Sequence, residues 1–286
     1  MRAMILAAGL GTRLRPLTDN RPKALVELSG RTLLEITLTR LRTFGINEVI
    51  VNVHHFADMV IAYLKSNNNF GMRIEVSRED VLLDTGGGLK KTAWFFLEDH
   101  ARCNSSQRDE PFLLHNVDVI SNIDLRRMLQ FHNEHHALAT LAVQNRETSR
   151  PLLFDDHLQL RGRRIDDKDT LIPIPHHGVI PTPENSVISS EARNLSSSPP
   201  RDARAMKPAS AALQALAFSG IHVISPRLLP MLTEEGIFSI IPSYLRLSAQ
   251  GQKILAFRAD NYYWRDLGRP SDLAQAAIDL QQNAFL

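Results

Sequence analysis

The stretch Leu6-Ala7-Ala8-Gly9-Leu10-Gly11-Thr12-Arg13-Leu14-Arg15-Pro16-Leu17-Thr18, continued by Arg21-Pro22-Lys23-Ala24-Leu25, joins an apolar strand to a basic glycine loop. The apolar run begins at Ala3 and stops at Gly9. A short continuous apolar run of this kind reads as a strand buried on both faces of a parallel sheet. Gly9 and Gly11 let the backbone N–H groups of the turn approach an anion closely. Arg13 then offers a planar fork for phosphate oxygens, and Lys23 a point charge. Two better-known glycine loops are excluded. A Walker A loop requires Gly-Lys-Ser/Thr, where Gly11-Thr12-Arg13 stands. A dinucleotide fingerprint requires a third glycine, and that position is Leu14.

Outward from this loop, the first 150 residues alternate strand and helix patterns. Helices are predicted over Thr32 to Phe44, stopped by Gly45, and over Phe56 to Leu64, Gly88 to Leu97 and Leu125 to His135. Strands are predicted over Glu48 to Val53, Arg73 to Ser77 and Phe112 to Asp118. Such alternation implies right-handed crossovers and a mostly parallel sheet with helices on both faces. After Ala139 short strands crowd together, at Thr140 to Val143, Leu152 to Phe154 and Leu158 to Leu160, as in antiparallel meanders. Further strands are expected at Phe218 to Ile224 and Ile254 to Phe257, and a closing helix at Ser271 to Gln282 with Ser271 as its N-cap. Seven of the 15 prolines lie between Pro173 and Pro208, so residues 176–212 read as a flexible Pro/Ser-rich insertion in an otherwise single domain spanning 1–286.

Composition narrows the class. The chain has 286 residues, 33 basic and 31 acidic, a net charge of +2. Its cations are scattered, so neither nucleic acid nor a membrane surface is an expected partner. Cys103 is the single cysteine, which excludes an internal disulfide and a Cys-based zinc site and suits a reducing, cytoplasmic setting. No apolar run reaches the ~18 residues of a membrane span, and the run from Met4 to Ala8 is too short for a secretory leader. His132, His135 and His136 around Glu134 lack the His-Glu-x-x-His order and read as a solvated helix face.

The loop residues resemble the signature of the sugar-1-phosphate nucleotidyltransferases, Leu-Ala-Ala-Gly-x-Gly-Thr-Arg-Leu-x-Pro-x-Thr followed by Pro-Lys-Ala/Pro-Leu, at nearly every position from Leu6 to Leu25. The likeness is to short bacterial uridylyl- and guanylyltransferases. It implies a Rossmann-like α/β fold, a mixed and mostly parallel central sheet with a small antiparallel sugar-side subregion. It also implies the reaction of an NTP with a sugar 1-phosphate to give an NDP-sugar and pyrophosphate.

Site residues follow from the matches. Arg13 and Lys23 are the expected catalytic cations, and Ala8, Gly9, Gly11 and Thr12 the nucleotide cradle. Leu83-Asp84-Thr85-Gly86-Gly87-Gly88 resembles the family's Glu-Thr-Ala/Gly-Gly-Gly loop, with Asp84 in place of the common Glu, so Thr85, Gly86 and Gly87 are expected beside the nucleoside. Leu114-His115-Asn116-Val117-Asp118 and Trp264-Arg265-Asp266-Leu267-Gly268 resemble the two segments that carry the family's metal ligands, which assigns Asp118 and Asp266 to Mg²⁺. Asn52 and Gly220 match sugar-side positions. The family's mid-chain Glu-Lys-Pro segment, whose Lys meets the sugar phosphate, has no clean counterpart; Arg163, Arg164 and Lys168 are the cations nearest to it in sequence. The matches fix neither the base nor the sugar, and a nucleotide-sugar-binding protein without turnover is the alternative reading.

Overall fold

Ten strands form one sheet whose centre is parallel and whose far side is antiparallel. The computed structural model describes residues 1–97, 110–165, 168–172 and 213–282. Residues 176–212 and Cys103 lie outside them. In chain order the elements are β1 (Arg2–Leu6), β2 (Glu27–Leu28), β3 (Arg31–Thr32), α1 (Leu33–Thr43), β4 (Glu48–Val53), α2 (Ala57–Ser66) and β5 (Arg73–Arg78). There follow α3 (Asp84–Lys91), α4 (Ala93–Leu97), β6 (Phe112–Asn116), β7 (Val119–Ser121), α5 (Leu125–Glu134), β8 (Ala139–Gln144), β9 (Leu152–Phe154), β10 (Leu160–Ile165) and β11 (Lys168–Leu171). The last are β12 (Gln214–Ile224), α6 (Ile240–Ala249), β13 (Ile254–Arg258), β14 (Trp264–Asp266) and α7 (Pro270–Gln281).

The sheet runs β11-β10-β9-β12-β6-β1-β4-β5, with β8 joining β12 to β13. Strands β6, β1, β4 and β5 are mutually parallel, and β12 is antiparallel to β6. Both faces of β6, β1 and β4 are buried, as their unbroken apolar runs require, whereas β5 at the edge is half-exposed. Ala3 and Ile5 of β1 face one core cluster with Val49, Val51 and Leu113, while Met4 faces the other with Ile50 and Leu114. Helix α1 starts where the Thr32 hydroxyl accepts from the Glu35 amide at 3.1 Å, and α5 where the Asp124 carboxylate accepts from the amides of Arg126 and Arg127. Among the described residues no helix is long and apolar enough to cross a membrane.

Four expectations need correction. The glycine triplet is not a loop before a helix but the first turns of α3, which ends at Lys91 and is followed by the separate short α4. The third short strand begins at Leu160, because Leu158 turns with φ 61°. Ser271 does not cap α7; Arg269 is the extended preceding residue and Pro270 takes the first helical position. His132 is buried and sits 3.0 Å from the Thr140 hydroxyl, so it packs α5 on β8 rather than facing solvent.

Candidate active site

Three parallel strands end side by side. In register, Leu6 of β1 stands between Asn52 of β4 and Asn116 of β6. Ligands of open α/β sheets bind at such carboxyl ends. Here they open into a cavity of about 420 Å³ lined by Ala7, Ala8, Gly9, Gly11, Thr12, Arg13, Lys23, Asn52, Glu79, Asp84, Thr85, Asn116, Asp118 and Gly268, with Leu6, Leu82, Val117 and Ile237 as apolar wall.

The loop after β1 is held open. Gly11 turns with φ 66°, and its carbonyl accepts from the Leu14 amide at 2.9 Å and the Thr18 hydroxyl at 2.9 Å. Among the described residues nothing accepts the amides of Gly9, Leu10, Gly11, Thr12 or Arg13. A run of free N–H groups at a strand's end is an anion cradle. Lys23, in a short 3₁₀ turn after Pro22, is buried and ion-paired with the Asp118 carboxylate.

The two aspartates meet through a second, two-stranded sheet. Strands β7 and β14 pair antiparallel with Asp266 opposite Val119, and the Leu267 amide donates to the Asp118 carbonyl at 2.8 Å. Burial, then the charge of Asp118, raises the pKa of Asp266, against the pull of Lys23 and Arg13. Its Oδ1 is buried and has no hydrogen-bond partner. Gly268 seats Arg13 beside it: a Cβ there would lie 2.6 Å from both Arg13 Nη2 and Asp266 Oδ1. Two carboxylates and two cations thus converge at the mouth of the amide cradle.

The remaining expected residues divide. Thr85 lines the cavity, but its hydroxyl accepts from the Ile240 amide at 3.0 Å and so fixes the start of α6. Gly86 and Gly87 are not brought to the cavity. Both amides donate to the Phe238 carbonyl, at 2.9 and 3.1 Å, and a Cβ on Gly86 would lie 2.3 Å from the Phe238 ring. They are the seam on which the 236–240 loop docks. Asn52 reaches the cavity with its amide engaged: Oδ1 accepts from the Ala7 amide at 2.8 Å and Nδ2 donates to Glu79 Oε1 at 2.8 Å. Gly220 is outside the lining, on a bulge of β12 against Asn116.

Glu79 was not anticipated. It is buried, accepts from Asn52 and, through Oε2, from the Leu83 amide at 2.9 Å. It therefore ties the signature loop to the start of α3. Its signal in the sequence is only an acid just past a strand end. Arg164, one of the mid-chain cations, pairs with Asp169 at 2.6 Å, and Lys168 is exposed on the outermost strand.

The nucleotidyl transferase family model matches residues 2–152. N-acetylmuramate alpha-1-phosphate uridylyltransferase of Caulobacter vibrioides is 53% identical over 91 residues, 31% of this chain and 38% of that protein. UTP–glucose-1-phosphate uridylyltransferase of Synechocystis is 33% identical over 153 residues, and mannose-1-phosphate guanyltransferase of Aspergillus fumigatus 33% over 144, each match covering 50% of this chain and 37% of the relative. The chain thus spans under two fifths of the length of these curated relatives. Among solved structures, HddC of Yersinia pseudotuberculosis complexed with GMP-PN superposes with a TM-score of 0.62 at 18% identity, over 98% of this chain and 99% of that one. A UDP-glucose pyrophosphorylase complexed with UDP-glucose gives 0.66 at 14% identity, over 99% and 98%.

Proposed function

Because the chain belongs to the nucleotidyl transferase family, we propose that it transfers a uridylyl or guanylyl group from an NTP to a sugar 1-phosphate and releases pyrophosphate. The observation that carries this reading is the meeting of Asp118, Asp266, Lys23 and Arg13 at the mouth of a loop of unpartnered amides.

An oxygen of the sugar phosphate attacks the α-phosphorus in line. A new P–O bond forms, the bond to the bridging oxygen breaks, and pyrophosphate leaves with the electron pair. The attacking group is an anion at neutral pH, so no general base is required. The burden is to hold two anions together and to stabilise the charge that shifts onto the leaving group. The amides of Gly9, Gly11 and Thr12 receive the triphosphate, with Ala8 at the strand end below them. Arg13 faces the leaving phosphates, and Lys23 neutralises the α-phosphate. Thr85 stands on the nucleoside side. Asn52 acts on this site by fixing the Ala7 amide and Glu79 rather than by offering free groups.

The residues fit a divalent cation. The orphaned Oδ1 of Asp266 and the neighbouring carboxylate of Asp118 are hard oxygen donors, two in number, as Mg²⁺ requires when substrate oxygens and water complete its shell. Mg²⁺ bound there supplies positive charge to the reacting phosphates. A cytoplasmic setting suits a reaction that consumes NTP, and a single domain suits the one continuous sheet.

The test is pyrophosphate release with Mg²⁺ over UTP, GTP, CTP, dTTP and ATP against N-acetylmuramate, mannose, glucose and heptose 1-phosphates. A productive pair with UTP or GTP supports the proposal. Silence across the matrix, with NDP-sugar bound but not cleaved by pyrophosphate, overturns it in favour of a binding protein without turnover.

A further inference from the structure

The acceptor in the reaction proposed above is itself a phosphate and calls for a cation of its own. Strand β12 lies beside the Asp118 corner. Its pairing with β8 slips between Phe218 and His222, and Gly220 turns with φ 74° inside the slip. The bulge presses on the corner that carries Asp118: a Cβ on Gly220 would lie 2.9 Å from Asn116 Nδ2 and 3.0 Å from Val119 Cγ2. Trp264, two residues before Asp266, closes the other side, its Nε1 donating to the Ser219 carbonyl at 2.7 Å.

Arg146, just past the end of β8, is fastened to both. Its Nη2 donates to the Phe218 carbonyl at 2.8 Å, and its guanidinium carbon lies 3.7 Å from the centre of the Trp264 ring. A guanidinium stacked on an indole is pre-organised, with little freedom left to lose on binding. Its Nε is nevertheless buried without an acceptor. Ser219 Oγ and Asp266 Oδ1 are in the same condition, so three of the seven such atoms among the described residues fall on this one chain of contacts. Unpaired buried polar atoms are rare and call for an explanation. An anion answers the two donors, Arg146 Nε and Ser219 Oγ, and the cation proposed above answers Asp266 Oδ1. Burial lowers the pKa of Arg146, and the Asp266 carboxylate opposes that fall, which places the two within electrostatic reach.

We propose that Arg146 is the cation that binds the phosphate of the sugar 1-phosphate, held for that task by Trp264 and the Phe218 carbonyl. The inference rests on the nucleotidyl-transfer reading for the identity of the anion. The rival cations are placed less well. Arg164 is paired, Lys168 is on the outermost strand, and Arg163, whose Nε is also unpartnered, lies on β10 with β9 between it and β12.

The experiment uses the two tryptophans. Trp94 on α4 is exposed, so Trp94→Phe leaves Trp264 as the sole indole, directly under the guanidinium. Glucose 1-phosphate and inorganic phosphate are titrated against Trp264 emission, alone and with Mg²⁺ and the α,β-methylene analogues of UTP and GTP. A saturable response is expected whose midpoint rises at least roughly tenfold in Arg146→Met and less in Arg146→Lys, which keeps the charge and loses the fork. Arg163→Gln should leave the midpoint unmoved. In steady-state assays with the productive pair, Arg146→Met should lower kcat/KM for the sugar 1-phosphate by roughly 10²-fold with the KM for NTP unchanged. An unmoved midpoint, equal loss in Arg163→Gln, or a fall confined to the NTP overturns the proposal. Phosphate binding through Arg146 in a protein with no transferase activity would overturn the reaction assigned above and leave the anion site standing. If Arg146→Met does not fold, Arg146→Lys carries the same comparison.

Discussion

Asp266→Asn should make the metal-free protein more stable and catalytically dead. Oδ1 of Asp266 is buried with no donor, and the charge of Asp118 adds to burial in opposing its ionisation. An unsatisfied buried acceptor costs about 1–3 kcal/mol, and asparagine leaves one too, so the difference lies in the charge. Asparagine keeps the shape, removes the charge and ends the repulsion from Asp118, but it also forfeits attraction to Lys23 and Arg13. A net gain of ~1 kcal/mol raises Tm by about 2 °C in a chain of this size. Mg²⁺ acts the other way round. At a hundred times its Kd it stabilises the wild type by about 2.7 kcal/mol, or about 5 °C on the same scale. The asparagine variant should gain none of this, and its kcat should fall by roughly 10²–10³. Calorimetry of both proteins in EDTA and in MgCl₂ reads all four melting temperatures. A variant less stable than wild type in EDTA, or one that gains as much from Mg²⁺, would refute the assignment of Asp266 as a charge held apart for a cation.

Lys23→Met strips Asp118 of its ion pair and should cost about 2–3 kcal/mol in urea unfolding, somewhat below the range for a fully buried pair because Asp118 is partly open to solvent; a change under ~0.5 kcal/mol would show the pair to be incidental. Gly220→Ala forces a Cβ onto Asn116 and Val119 at a left-handed φ, at a cost of about 1–3 kcal/mol. Steady-state kinetics should place its effect on the sugar phosphate and not on the NTP. Burial, aided by Arg40, lowers the His115 pKa to about 4, and burial, aided by His115, lowers that of His222 to about 3. Unfolded histidines bind protons below about 6.5 while these stay neutral in the native state, so stability falls as pH drops from there toward 4. The loss approaches roughly 3 kcal/mol per histidine at pH 4, and a flat denaturant midpoint between pH 7 and pH 4.5 would contradict it.

The central parallel strands β1, β4 and β6 were legible because they are apolar on both faces, and α1 because Gly45 stops it, signals that need no partner to be read. Helix α6 is absent from the sequence reading; its Pro242 falls in the first turn, where the missing N–H costs nothing. The glycine triplet was misread for the opposite reason. Its helix forms because Phe238, some 150 residues away, accepts the Gly86 and Gly87 amides, and no local pattern announces that. Likewise Arg13, Lys23 and the free amides follow from one contiguous motif. Glu79 and Arg146 owe their places to Asn52 and Trp264, which only the folded sheet brings to them.

The ladder between β7 and β14 has a consequence for how the chain assembles. Asp118 lies within the stretch matched by the family model and Asp266 more than a hundred residues beyond it. The amide loop, Lys23 and Asp118 can therefore take shape on β1 and β6 while the second carboxylate is still far away. Like charges are confronted where β14 docks on β7. The β7–β14 seam should be the first part of the sheet system to open and the part most tightened when a cation arrives, a difference that amide exchange at Val119 and Leu267 would register.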